Sequence, residues 1–128
     1  MDLGAIVDSH MVDPTNLYMM EVVDKSSHWM LDITGVGFGD MEENAYRIKS
    51  KALLDTGTSC IVVPSYYYLW FMKKLADRGV AYYSDNGSRP YLQDCSNISL
   101  LPTIYFLIGG YWFQADPLDY ILNNSFIC

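Results

Sequence analysis

Residues that build metal centres and nucleic-acid surfaces are scarce in this sequence. Among its 128 residues are two His and three Cys, and Cys60, Cys95 and Cys128 lie too far apart for the close spacing of a zinc site. His10 and His28 stand in no helical or paired spacing to each other or to a cysteine, so neither a metal nor another cofactor is expected. Eight basic residues face 15 acidic ones, for a net charge of −7. Lys73, Lys74 and Arg78 come nearest to a cluster, and the rest are scattered, which argues against nucleic acid as a partner. Long apolar runs are missing too: Asp, Lys, Arg, Asn or Gly interrupts each one well short of the roughly 18 residues a membrane-spanning helix needs. The first eight residues have neither the basic start nor the apolar run of a signal peptide. Either the protein is not exported or this is not its natural start. Asp8, Ser9 and His10 offer the residue types of a hydrolytic triad, but adjacent residues do not reach one another in triad geometry, and no Gly-x-Ser-x-Gly nucleophile elbow is present.

Apolar residues, in contrast, are plentiful. At 51% hydrophobic and 18% charged, the chain can bury a core without metal or dense disulfide support, which excludes intrinsic disorder. Its length fits one domain or part of one. Most of it reads as short strands: residues 17–23 and 29–38 are rich in β-branched, aromatic and large apolar side chains and are separated by Asp24-Lys25-Ser26-Ser27, so they read as paired strands. From Tyr46 to Lys51 polar and apolar residues alternate and run into Ala52-Leu53-Leu54, which reads as a strand buried on both faces. Residues 103–108 and 111–114 flank Gly109-Gly110, a two-residue loop suited to a hairpin with positive φ. A turn-rich stretch at 84–90 reads as a surface loop or hairpin tip.

A single helix stands out. Pro64 suits a first turn, 66–72 is apolar and aromatic, Lys73, Lys74 and Arg78 favour the negative end of the dipole, and Gly79 supplies a stop. Its thin polar faces predict a helix largely buried or partnered. Strands before, between and after it indicate a mainly β domain.

The stretch richest in chemistry is Leu53-Leu54-Asp55-Thr56-Gly57-Thr58-Ser59-Cys60. An acid between apolar strands, followed at once by small hydrogen-bonding residues and a glycine, is partly desolvated yet well supplied with donors, which is how a protein sets the ionisation of a catalytic carboxyl. By itself Asp-Thr-Gly also reads as a strand-ending turn.

The surrounding residues carry more. In order come Trp29-Met30-Leu31-Asp32-Ile33 ahead of Val36-Gly37, then Leu54-Asp55-Thr56-Gly57-Thr58-Ser59. Pro64 opens the helix, and Asp94-Cys95-Ser96-Asn97-Ile98 and Leu101-Pro102-Thr103-Ile104-Tyr105-Phe106 follow. Gly110, Phe113, Pro117, Tyr120-Ile121 and Cys128 continue the series. Over nearly its whole length the sequence resembles the second, C-terminal lobe of the pepsin-like aspartic proteases.

The resemblance implies a mainly β lobe of a bilobal fold with one main helix after the active-site loop, residues 1–128 being an incomplete C-terminal lobe. Asp55 would be one of two catalytic aspartates, its partner coming from a first lobe that this chain does not contain. Thr56 would tie the two active-site loops together and Thr58 would bond the outer oxygen of Asp55. Gly57 and Ser59 would meet an extended polypeptide substrate through its main chain, and Leu53 would line a pocket or pack in the core. Cys95 and Cys128 match the lobe's bridged pair, leaving Cys60 as a buried small hydrophobe. Asn86, Asn97 and Asn123 head triplets that accept N-glycans in a secretory path. A secreted or lysosome- or vacuole-like acidic location is implied, and the acidic balance suits it.

Departures from the family pattern matter as well. A further cysteine pair expected before the active-site strand is missing from Asn44-Ala45-Tyr46-Arg47-Ile48-Lys49, and the apolar-apolar-Gly strand expected after Cys128 lies beyond the chain. The expectation is therefore an endopeptidase fragment, inactive alone. The alternatives are a catalytically dead or truncated homologue that binds proteins or peptides, a nonfunctional fragment, or a homodimer that pairs two copies of Asp55.

Overall fold

In a computed structural model, residues 6, 7, 9, 11, 13–23, 28–40, 45–85 and 89–121 are described. Two long strands, β1 (Met30–Phe38) and β2 (Tyr46–Leu53), precede helix α1 (Ser65–Asp77), and a short hairpin follows of β3 (Tyr82–Asp85) and β4 (Arg89–Leu92). A 3-10 helix at Cys95–Leu100 leads to β5 (Ile104–Ile108), β6 (Tyr111–Ala115) and the single-turn helix α2 (Pro117–Tyr120). The architecture is mixed and somewhat β-rich, less purely β than the sequence predicts.

Strand order in the main sheet is β2-β1-β5-β6, antiparallel throughout. The hairpin between β5 and β6 forms at the expected place, with Gly109 and Gly110 at φ of 59° and 87°. Such angles are open to glycine at little cost, and they turn the chain with the twist of the flanking strands. At Gly35 the register of β1 shifts, and a Cβ there would lie 2.9 Å from the Trp112 ring of β6. Glycine lets that ring cross the sheet.

Residues 17–23 do not form the strand predicted for them. The sheet positions beside β1 are taken by β2 and β5, and the segment attaches through Val23 N–H donating to Met30 O at 2.9 Å and through Tyr18, whose ring meets Tyr111 and Phe113. Nor is the end of β2 buried on both faces. It lies at the sheet edge, with Leu53 and Leu54 both exposed.

Two apolar clusters hold the elements together. Ile33, Val36, Phe38 and Ile104 form one on the sheet; Met72, Leu75, Val80, Leu92 and Leu101 form the other beneath α1. Phe71 and Tyr120 pack against both. Partial burial pushes the half-buried Tyr120 phenol well up from its ordinary value, and its hydroxyl donates to Pro102 O at 2.6 Å, so the group stays neutral with its proton satisfied. Helix α1 ends as foreseen at Gly79, whose φ is 76°. There Val80 N–H donates to Leu75 O and Gly79 N–H to Ala76 O, the two bonds of a Schellman motif, with Val80 and Leu75 sharing the core. Within this chain only one face of the helix is buried: Tyr66 and Leu69 face out, Leu69 at 65% exposure.

The burial pattern predicts that Leu75→Ala lowers the unfolding free energy by about 2–4 kcal/mol, while Leu69→Ala changes it by less than ~0.5 kcal/mol. Urea denaturation of the 128-residue chain measures both.

Candidate active site

Where β2 ends, the ladder to β1 runs one pair further. Met30 faces Leu53 in the register, and Leu54 N–H donates to Trp29 O at 3.0 Å. Asp55 is thus delivered to the sheet edge at the point where the chain turns away. The next residues form a tight turn around its carboxylate. Gly57 N–H donates to Oδ1 at 2.8 Å, the Thr58 hydroxyl donates to Oδ2 at 2.6 Å, and Thr58 N–H closes the turn on Asp55 O at 3.4 Å. A Cβ at residue 57 would lie 3.1 Å from Oδ1, so glycine lets the backbone amide approach the carboxylate this closely.

These bonds favour the ionised form. The Thr58 hydroxyl, then the Gly57 amide, hold the Asp55 carboxyl below its ordinary value; a small burial effect opposes them, and charge attraction from His28 adds to them. Because the folded value is depressed, the stabilisation is present above the unfolded value and is lost as pH falls through the folded one. Asp55 is not partly desolvated as expected: the carboxylate and every residue from Leu53 to Tyr66 are exposed. Hydrogen bonding, with burial contributing little, sets its ionisation.

An open groove of about 340 Å³ adjoins the carboxylate, lined by His28, Trp29, Leu53, Leu54, Asp55 and Thr56. Of the residues singled out in the sequence, the fold brings Leu53, Asp55 and Thr56 to this groove and places Gly57 and Thr58 on the carboxylate. Ser59 is exposed on the same loop. His28 and Trp29 are groove residues that the sequence reading did not assign to the site. The ladder places Trp29, whose carbonyl accepts from Leu54 N–H, and the turn before β1 places His28, whose carbonyl accepts from Met30 N–H at 2.9 Å.

Cys60 is free and exposed, not buried, because the loop after Asp55 has no cover. Cys95 is disulfide-bonded, and Cys128 lies outside the described residues. Asn97 is half-buried in the 3-10 helix that Asp94 caps, Ser96 N–H donating to its carboxylate at 2.9 Å; Asn86 and Asn123 lie outside the described residues. Among the described residues no group of three or more His, Cys, Asp and Glu could hold a metal, and no helix is long and apolar enough to cross a membrane.

Two outcomes follow from this geometry. Thr58→Ala should raise the titration midpoint of the Asp55 carboxyl carbon in NMR, and Thr58→Ser, which keeps the hydroxyl, should leave it near the wild-type position. Under native, non-reducing conditions a thiol reagent should label Cys60 and spare Cys95, as peptide mass spectrometry would read.

Comparison with known proteins agrees with the motif. The profile of the eukaryotic aspartyl protease family matches residues 2–128. Gastricsin of Macaca fuscata fuscata is 32% identical over 106 residues, which are 83% of this chain and 26% of the relative. The vacuolar aspartic protease of Candida albicans is likewise 32% identical over 83% of the chain and 23% of its own length, and pepsin B of Canis lupus familiaris is 27% identical over 89% and 29%. The chain therefore spans about a quarter of the length of these curated relatives. A turn that grips both oxygens of an exposed aspartate, within a sequence matched almost end to end, identifies the chain as a member of the eukaryotic aspartyl protease family, the pepsin family.

Proposed function

We propose that this chain is the greater part of the C-terminal lobe of a two-lobed aspartic endopeptidase, and that Asp55 supplies one carboxylate of its catalytic pair. The observation that carries the reading is the Asp55 turn, which holds the carboxylate ionised while leaving it open to solvent. A second aspartate, from a first lobe of the same protease, completes the pair. Two carboxyls held close share one proton. The ionised member takes a proton from water, whose oxygen attacks the scissile carbonyl carbon, while the protonated member donates to the carbonyl oxygen. Collapse of that tetrahedral species breaks the C–N bond as the amine takes up a proton.

The surroundings of Asp55 support a covered, two-part site. Leu54 is 54% exposed and Val62 81%, with Ile61, Val63, Tyr66 and Leu69 exposed nearby. A patch of this kind marks a surface that another polypeptide element covers, and three quarters of the relatives' length is available to supply it. In this reading Thr56 joins the two active-site loops, Thr58 fixes the outer carboxylate oxygen, and Gly57, Ser59 and Leu53 meet an extended polypeptide substrate. Cys95 pairs with Cys128, and Asn86, Asn97 and Asn123 accept glycans if the protein enters the secretory path. The acidic composition fits a secreted protein or one of an acidic, vacuole-like compartment.

The test is cleavage of an unfolded protein at acid pH by the full-length chain. Asp55→Asn should reduce kcat/KM by at least roughly 10²-fold, with the variant still folded by circular dichroism. Undiminished cleavage would remove Asp55 from the catalytic pair.

A further inference from the structure

Beside Asp55 lies a second ionisable side chain that the proposed chemistry does not use. Just past the last β1–β2 pair, Met30 with Leu53, Leu54 N–H donates to Trp29 O and the chain turns at Trp29, His28 O accepting from Met30 N–H at 2.9 Å, which leaves His28 at the same end of the ladder as Asp55. Both residues line the same open groove, whose other walls are Trp29, Leu53, Leu54 and Thr56. His28 and Asp55 are thus its two charge-bearing members. The nearest charged pair of these strands, Lys51 facing Asp32, stands two pairs up the ladder from its last pair, Met30 with Leu53. In the segment leading to β1, Glu21 lines a separate groove with Asp32 and Gly109.

Resting on the protease reading above, we infer that His28 is a positioning residue for catalysis, presenting an imidazolium across the groove that holds Asp55 as the ionised partner of the pair. The sign is set by charge: a cation in the same groove as a carboxylate favours its charged form. Charge attraction from His28 indeed acts on Asp55 in that direction. His28 therefore extends activity to lower pH, because the pair must keep one carboxylate ionised to activate water. Thr58 and Gly57 grip the carboxylate from its own turn; His28 adds a contribution, from the turn before β1, that responds to salt.

The experiment uses the full-length protease and a neutral peptide substrate, with kcat/KM followed across pH. His28→Gln should lower kcat/KM roughly threefold on the acid limb, the size expected of one charge acting through water-like screening, and leave the alkaline limb in place. His28→Arg should restore the acid limb, and 1 M salt should bring wild type and His28→Gln together. In the same chain, NMR titration of the Asp55 carboxyl carbon should show a higher midpoint in His28→Gln than in wild type. An Asp55 midpoint unmoved by His28→Gln, or an acid limb unchanged in a folded variant, would overturn the inference. Absence of Asp55-dependent cleavage by wild type would count against the protease reading instead, and the carboxyl titration still decides the role of His28.

Discussion

The pairing register of β1 and β2 is the constraint on which the site depends. With Met30 opposite Leu53 and Leu54 bonded back to Trp29, the strand pair delivers Asp55 to the sheet edge with its side chain beside the groove. A slip of one residue would exchange the two faces of β2, turning the intermediate Ile48 and Ala52 away from the core that Phe38 and Ile104 anchor. Burial on the inner face therefore fixes the position of a carboxylate that is itself unburied. The bulge at Gly35 adjusts β1 where Trp112 crosses the sheet, leaving the regular ladder from Met30 to Ile33 to set the end that carries Asp55.

Around that carboxylate the fold divides its tasks. Local hydrogen bonds from Gly57 and Thr58 orient and ionise Asp55 without help from the core, whereas the apolar clusters on both sides of Phe71 and Tyr120 hold α1 and the sheet together. Between the two in the chain lies the exposed loop from Leu54 to Pro64, with its uncovered Ile61, Val62 and Val63. A hydrophobic loop directly after a carboxylate turn is a poor solution for a free surface. It suits a site whose other half is supplied by more polypeptide, in keeping with a chain that spans a quarter of its relatives.

Legibility in the sequence followed how local the determinants were. The Gly109-Gly110 hairpin, the Gly79 helix stop and the donors around Asp55 each depend on a few neighbouring residues, and each was readable. Features that depend on distant partners were not. Residues 17–23 have strand-like side chains, but β2 and β5 occupy both sides of β1. Ala52-Leu53-Leu54 reads as a buried run, yet these residues end an edge strand beside the exposed loop. Cys60, without a bridging partner, reads as an interior residue, and its exposure follows from the same open loop. Placing Asp55 in a desolvated site conflated the supply of donors, which Thr58 and Gly57 provide locally, with burial, which requires another part of the fold.

The central claim is that Asp55 is half of a pair. The most direct measurement is the NMR titration of its carboxyl carbon in the full-length protein. Sharing a proton with a second carboxylate predicts two coupled macroscopic steps for this one nucleus. A single step below the ordinary aspartate range, the behaviour of the Thr58 and Gly57 turn acting alone, would contradict the account.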